Sequence, residues 1–222
     1  MTTTDPGSIP AAHQPSPDAQ TAADIARHTW FDPYDPLCFT LIEGVDEDEV
    51  IRRFGGDPET AEFHGPGRYW ELMEDRDYND LLHLLQVGTA ATGHVFAIEI
   101  NGWTGSNTQR SLSHSGARAF TVYTHINAAD RTCYAVDGRP VINEEPWGPL
   151  TPLSAPDPDP EWNPAWCEGL SDEKHDIWLR GARQMVLAER VMGARVEQRW
   201  FEIPLRTVIL PDFFANPAVD IN

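Results

Sequence analysis

His94-Val95-Phe96-Ala97-Ile98-Glu99-Ile100-Asn101-Gly102-Trp103 opens a run, ending at Glu145, on which the architecture turns. Phe96, Ile98 and Ile100 alternate with Val95, Ala97 and Glu99, the period of two that a strand imposes on its side chains. Asn101-Gly102 accepts positive φ and ends the strand. Residues 103–115 are polar and Ser-rich, too long for a tight hairpin, and read as an excursion loop over one end of a sheet. Residues 117–126 form the next strand, with Phe120, Val122, Thr124 and Ile126 on one side and Thr121, Tyr123 and His125 on the other. After a short polar turn, residues 131–136 and 139–143 make two more strands around the turn pair Asp137-Gly138. Short connections place successive strands side by side, so this run reads as a four-stranded antiparallel meander. Each strand has one apolar side, and the sheet must bury that face against helices.

Outward from the meander, Leu37, Phe39 and Leu41 alternate with Cys38, Thr40 and Ile42 in an early strand over residues 37–43. Asp46 then looks like a helix N-cap, with Glu49 three residues on as its capping-box partner. Val50, Ile51 and Phe54 give that helix its apolar side, and Gly55-Gly56 and Pro58 end it. Residues 59–77 are irregular, and 78–85 fit a short helix or the start of a strand equally. Residues 86–93 read as a strand plus turn. Late in the chain, Ser171 caps a helix in which Trp178, Ala182, Met185, Val186 and Val191 recur at helical spacing, with Gly193 ending it. Residues 201–210 resemble a last strand, 206–210 especially, interrupted by Pro204. The expectation is an α+β fold: an antiparallel β-meander sheet of about five strands with helices packed on one face. One globular domain spans 31–212 between a disordered or weakly ordered tail at 1–30, in which residues 22–29 fit a short helical turn, and a loose tail at 213–222.

Thirty-five acids oppose sixteen basic residues among 222, a formal net charge of −19. Such a surface repels phosphate backbones, which argues against nucleic-acid binding and suits solubility or steering toward a basic protein partner. No apolar run reaches the length of a membrane span, and the N-terminus lacks a signal-peptide pattern, so the expected location is cytoplasmic. Cys38, Cys133 and Cys167 are widely spaced and odd in number, which argues against a disulfide framework or a zinc site and reads as small buried residues.

Several segments recur in a telling order: Leu41-Ile42-Glu43-Gly44 before a helix through Arg52-Arg53-Phe54-Gly55-Gly56-Asp57-Pro58; Glu99-Ile100-Asn101-Gly102-Trp103; Leu112-Ser113; Tyr134-Ala135-Val136-Asp137-Gly138; and Leu187-Ala188-Glu189-Arg190 up to Gly193. Together they resemble an uncharacterised, mainly actinobacterial family of unknown function, over residues 37–196. The resemblance implies a shared layout and brings no activity with it.

No catalytic residue, metal site or cofactor is assigned. The eight histidines show neither HExxH nor HxH spacing, although His94, His114 and His125 come from one sheet and its loop. Ser111, Ser113 and Ser115 flank His114 without a nucleophile elbow, and Cys133 with His125 lacks an activating group. Gly102 and Gly105 lack the helix and lysine of a phosphate cradle. Candidate binding residues are Glu99, Asn101 and Trp103 at a strand end, and Trp147 and Trp162 in the Pro/Trp-rich loop at 145–169. The function expected is a non-enzymatic acidic protein–protein binding domain, an immunity or regulatory protein. Two alternatives stand beside it. One is a small enzyme with a pocket between the sheet and the Pro/Trp-rich loop, using Glu99 or His125 as acid–base group. The other is a DNA-mimic inhibitor.

Overall fold

Apolar residues on both sides of the strands, rather than one, set the architecture. The computed structural model describes residues 16–31, 36–77, 82–125, 130–144, 159–170 and 179–212. Among these, eight strands form one antiparallel sheet: β1 (Leu37–Glu43), β2 (Glu62–His64), β3 (Leu84–Thr89), β4 (Val95–Ile100), β5 (Arg118–Thr124), β6 (Arg131–Val136), β7 (Arg139–Glu144) and β8 (Leu205–Ile209). Their order is β2-β8-β3-β4-β1-β5-β6-β7. The helices are α1 (Pro17–Ala26), α2 (Glu47–Arg53), α3 (Arg68–Met73), α4 (Thr104–Asn107), α5 (Gln109–Ser113) and α6 (Arg180–Met192).

The α+β class and the antiparallel sheet agree with the sequence reading, but the sheet has eight strands and not about five. The four-strand meander is also corrected. β1 lies between β4 and β5, with Leu37 opposite both Ile100 and Thr124. Because β1 runs antiparallel to each, β4 and β5 run parallel, and a parallel pair needs a crossover. The polar run read as a loop supplies it as α4 and α5. Its Ser- and Thr-rich sequence hid the helices because it has no apolar periodicity. Only β5, β6 and β7 form a true meander.

Helices cover both faces, not one. On the first, Phe39 and Leu41 of β1, Phe96 and Ile98 of β4, Phe120 of β5 and Tyr134 of β6 pack with Met185, Val186 and Val191 of α6. On the second, Ile42, Val95, Ala97 and Ala119 pack with Val50, Ile51 and Phe54 of α2 and Leu112 of α5. The expectation of one apolar side fails because the second face, which mixes Ile42 and Val95 with small Ala97 and Ala119, is buried as well.

Local signals hold where capping chemistry is explicit. Asp46 accepts from the Glu49 N–H at 2.8 Å. Gly193 ends α6 in the left-handed region at φ 68°. The Ser171 cap and Trp178 lie outside the described residues. At the N-terminus, Pro17–Ala26 form α1 where the reading expects a tail. Ser16 caps α1, and Arg27 and His28 beyond it bind Glu189 of α6. Such tertiary anchoring leaves no periodic trace in a polar helix.

Candidate functional site

Glu99, Asn101 and Trp103 do not converge. They point three ways from one strand end, and each has a different job. The Glu99 side chain enters the second face, only 1 % exposed, beneath α4. Its Oε1 accepts from the Thr104 N–H at 2.9 Å and its Oε2 from the Gly105 N–H at 2.8 Å. Burial raises the carboxyl, and the Gly105 and Thr104 donors oppose that rise. The backbone of α4 comes so close that a Cβ on Gly105 would lie 2.6 Å from Thr40 Oγ1, and one on Gly102 would lie 2.6 Å from Glu99 Cβ. These two glycines serve close packing.

The thiols are part of the same closed layer. Cys38 faces Glu99 across β1 and β4, and burial followed by the Glu99 charge pushes its thiol well above the usual range. Cys133 is pushed up to about 12 by burial, and its sulfur meets Ser106 O and Asn143 Oδ1, not His125. Thr40 and Thr121 share a hydrogen bond at 2.9 Å, and Gln109 donates to Thr121 Oγ1 at 2.8 Å. These groups face one another and not solvent. Among the described residues, no three His, Cys, Asp or Glu side chains converge as a metal-ligating group.

Asn101 leads to a cavity. It sits at φ 54° in the left-handed region that Asn tolerates. Its N–H donates to Pro36 O at 2.7 Å, and its Nδ2 donates to Tyr69 Oη at 2.7 Å. Both partners belong to the walls of a cleft of about 300 Å³, or stand next to them. The lining is Trp30, Phe31, Pro36, Leu37, Trp70, Ile100 and Phe201. Leu37 and Ile100 form the floor, as cross-strand partners at the end of the sheet. Tyr69 is buried edge-on to Trp70 at 4.9 Å, which leaves Trp70 58 % exposed at the rim. Trp30 meets Phe201 at 4.9 Å and 53°, and Phe31 at 5.9 Å and 84°. Phe31 has room because α6 carries Gly181 there: a Cβ would lie 2.3 Å from Phe31 Cδ1.

The segments that carry the lining aromatics lean acidic in sequence. Residues 68–77 carry Glu71, Glu74, Asp75 and Asp77 against Arg68 and Arg76, and Glu202 follows Phe201. Arg68 is already paired with Glu71 at 3.2 Å, and Arg199 with Glu197 at 2.8 Å. Of the tryptophans singled out in the sequence, Trp162 is buried against Tyr134 and Trp166, pinning its loop to the body. Trp147 lies outside the described residues. Trp103 stands edge-on to His83 at 5.1 Å. The sequence missed Trp30, Phe31, Trp70 and Phe201. Its available signal was aromatic pairing, Trp30-Phe31 and Tyr69-Trp70, in segments with no regular period.

The model of a family of unknown function (DUF6461) matches residues 23–203. The chain belongs to that family. No curated protein and no solved structure gives a significant match. In this DUF6461 chain the matched region takes in α6, strands β1 to β7 and every lining residue of the cleft, while β8 lies just beyond it. The segments that carried the sequence resemblance have structural work within it. Arg53 donates to Leu112 O at 2.9 Å, fixing α5 to α2. A Cβ on Gly56 would meet Ile51 Cγ2 at 2.9 Å. Asp137 accepts from the Gly116 N–H at 2.7 Å. Glu189 holds Arg27, His28 and the Val196 N–H, while Arg190 donates to Trp166 O, Glu168 O and Thr21.

Proposed function

We propose that this DUF6461 chain is a non-enzymatic binding domain that docks on a basic protein partner, as an immunity or regulatory protein does, and that the cleft is its anchor point. The observation that carries the reading is Trp70: a large aromatic side chain left mostly in water at the mouth of an aromatic-walled cleft, on a chain of net charge −19. Exposed tryptophan beside a preformed apolar recess is the usual anatomy of an interface hot spot. The acidic field steers a basic partner to it and adds salt dependence. Of the groups the sequence offers for acid–base or nucleophilic work, Glu99 and Cys133 lie inside the fold with their partners already made, while His125 is half-buried.

The test compares the tagged full chain with its Trp70→Ala variant, each exposed to an extract of the cells that make it. Bound proteins are identified at low salt and again at about 0.5 M salt. The expected result is a basic protein kept by the wild type, released by salt and lost with Trp70→Ala, at a cost of about 2 kcal/mol in affinity, roughly 30-fold. The same proteins held equally by both chains would defeat the proposal.

A further inference from the structure

Four of the residues around the cleft, Trp30, Phe31, Trp70 and Phe201, are aromatic. Trp30 lies at 84° to Phe31 and 53° to Phe201, so these rings do not stack shut on one another. Rings set at such angles present π faces as well as edges to the space between them. Among the described residues, no charged side chain lines that space. The segments that carry its aromatic residues lean acidic in sequence: residues 68–77 hold four carboxylates against two guanidinium groups, and Glu197 and Glu202 stand against Arg199 around Phe201.

Resting on the docking role proposed above, we infer that the group the cleft receives is a cation: the guanidinium or ammonium head of an Arg or Lys side chain of the protein partner. A cation over an aromatic face is attracted by the ring quadrupole, most strongly by tryptophan, and two of the four rings are tryptophan. The acidic frame raises the local concentration of cations, whereas it offers nothing to an aliphatic group and repels an anion. Among the described residues the lining is four aromatic rings with Pro36, Leu37 and Ile100, and the rings accept a diffuse positive charge without a fixed donor pattern. The volume of about 300 Å³ lies at the lower end of the range for small-ligand sites and leaves room for a side-chain head.

The experiment uses the full chain and two probes of matched shape, tetramethylammonium chloride and the neutral 3,3-dimethyl-1-butanol, at constant ionic strength. The indole N–H resonances of Trp30 and Trp70 are followed by NMR, assigned from Trp30→Phe and Trp70→Phe. The expected result is saturable shifts of both resonances by the cation, with a dissociation constant roughly five-fold or more below that of the alcohol. The Trp30 shift should be lost in Trp70→Ala, with an unchanged unfolding midpoint showing that this variant folds. Equal or tighter binding of the alcohol, or no shift by the cation, overturns the inference. Either result leaves the docking role standing if Trp70→Ala still abolishes partner capture. Failure of the docking role shows separately, as identical capture by both chains.

Discussion

Asn101 donates its side-chain amide to the Tyr69 hydroxyl at 2.7 Å. A residue at the end of a core strand thereby fixes the short helix whose next residue, Trp70, forms the rim of the cleft. The same asparagine holds Pro36 through its own N–H. Asn101→Gly keeps the left-handed backbone available but removes the amide. We expect it to cost about 1 kcal/mol in urea unfolding. Tyr69→Phe should cost a similar amount, and the double variant little more than either single one. Full additivity in that cycle would show that the two groups do not interact.

Gly181 offers a test in which the sign is informative. Glycine inside a helix normally gives way to alanine with a gain of roughly 0.5–1 kcal/mol. Here the added methyl would lie 2.3 Å from Phe31 Cδ1. Gly181→Ala should instead destabilise by about 1–3 kcal/mol and disturb the cleft wall, as overpacking does. Thermal unfolding decides it: a raised midpoint would mean that Phe31 moves aside freely.

Glu189 should govern the acid limb of stability. Burial acts to raise its carboxyl, but hydrogen bonds from His28 and Arg27 outweigh burial and hold it at about 2. The folded value lies below the unfolded one, so the stabilisation is present above about pH 4.5 and is lost as pH falls toward 2. By pH 3 the loss from this group is about 2 kcal/mol. Glu189→Gln should be less stable at pH 6 and should flatten the decline between pH 5 and pH 3, read from urea unfolding at each pH. A decline as steep as that of the wild type would assign it to other carboxylates.

Glu99 separates architecture from recognition. Glu99→Ala leaves the Thr104 and Gly105 N–H groups buried without their acceptor and should destabilise by roughly 3 kcal/mol or more. Partner capture per folded molecule should be unchanged. Loss of capture at full folding would return Glu99 to the list of recognition residues.

The thiols give a probe of closure. Burial raises all three, Cys167 to about 11 and Cys133 to about 12. A disulfide reagent at pH 8 should react slowly with Cys167 alone, while Cys38 and Cys133 wait for unfolding. Fast labelling of Cys133 in the native chain would mean that α4 opens readily.

What the sequence made legible is whatever short-range chemistry encodes. Alternation marked β1, β4, β5 and β6, the Asp46 cap marked α2, and Gly193 marked the end of α6. Strand order was not legible, because nothing local in residues 37–43 says that they slide between two later strands. The cleft was half legible. Asn101 stood out through its turn chemistry, but its role depends on Tyr69, which is joined to it only by folding. Trp30 and Phe201 come from opposite ends of the chain, and no spacing rule pairs them.

The placement of β1 between β4 and β5 has a consequence during synthesis. Leu37, Phe39 and Leu41 leave the ribosome long before Ile98 or Phe120 exists to shield them. The nascent chain therefore carries a greasy ribbon that lacks any sheet partner until Ile100 has emerged and keeps one open edge until Thr124 has, a window in which holdase chaperones compete with premature self-association.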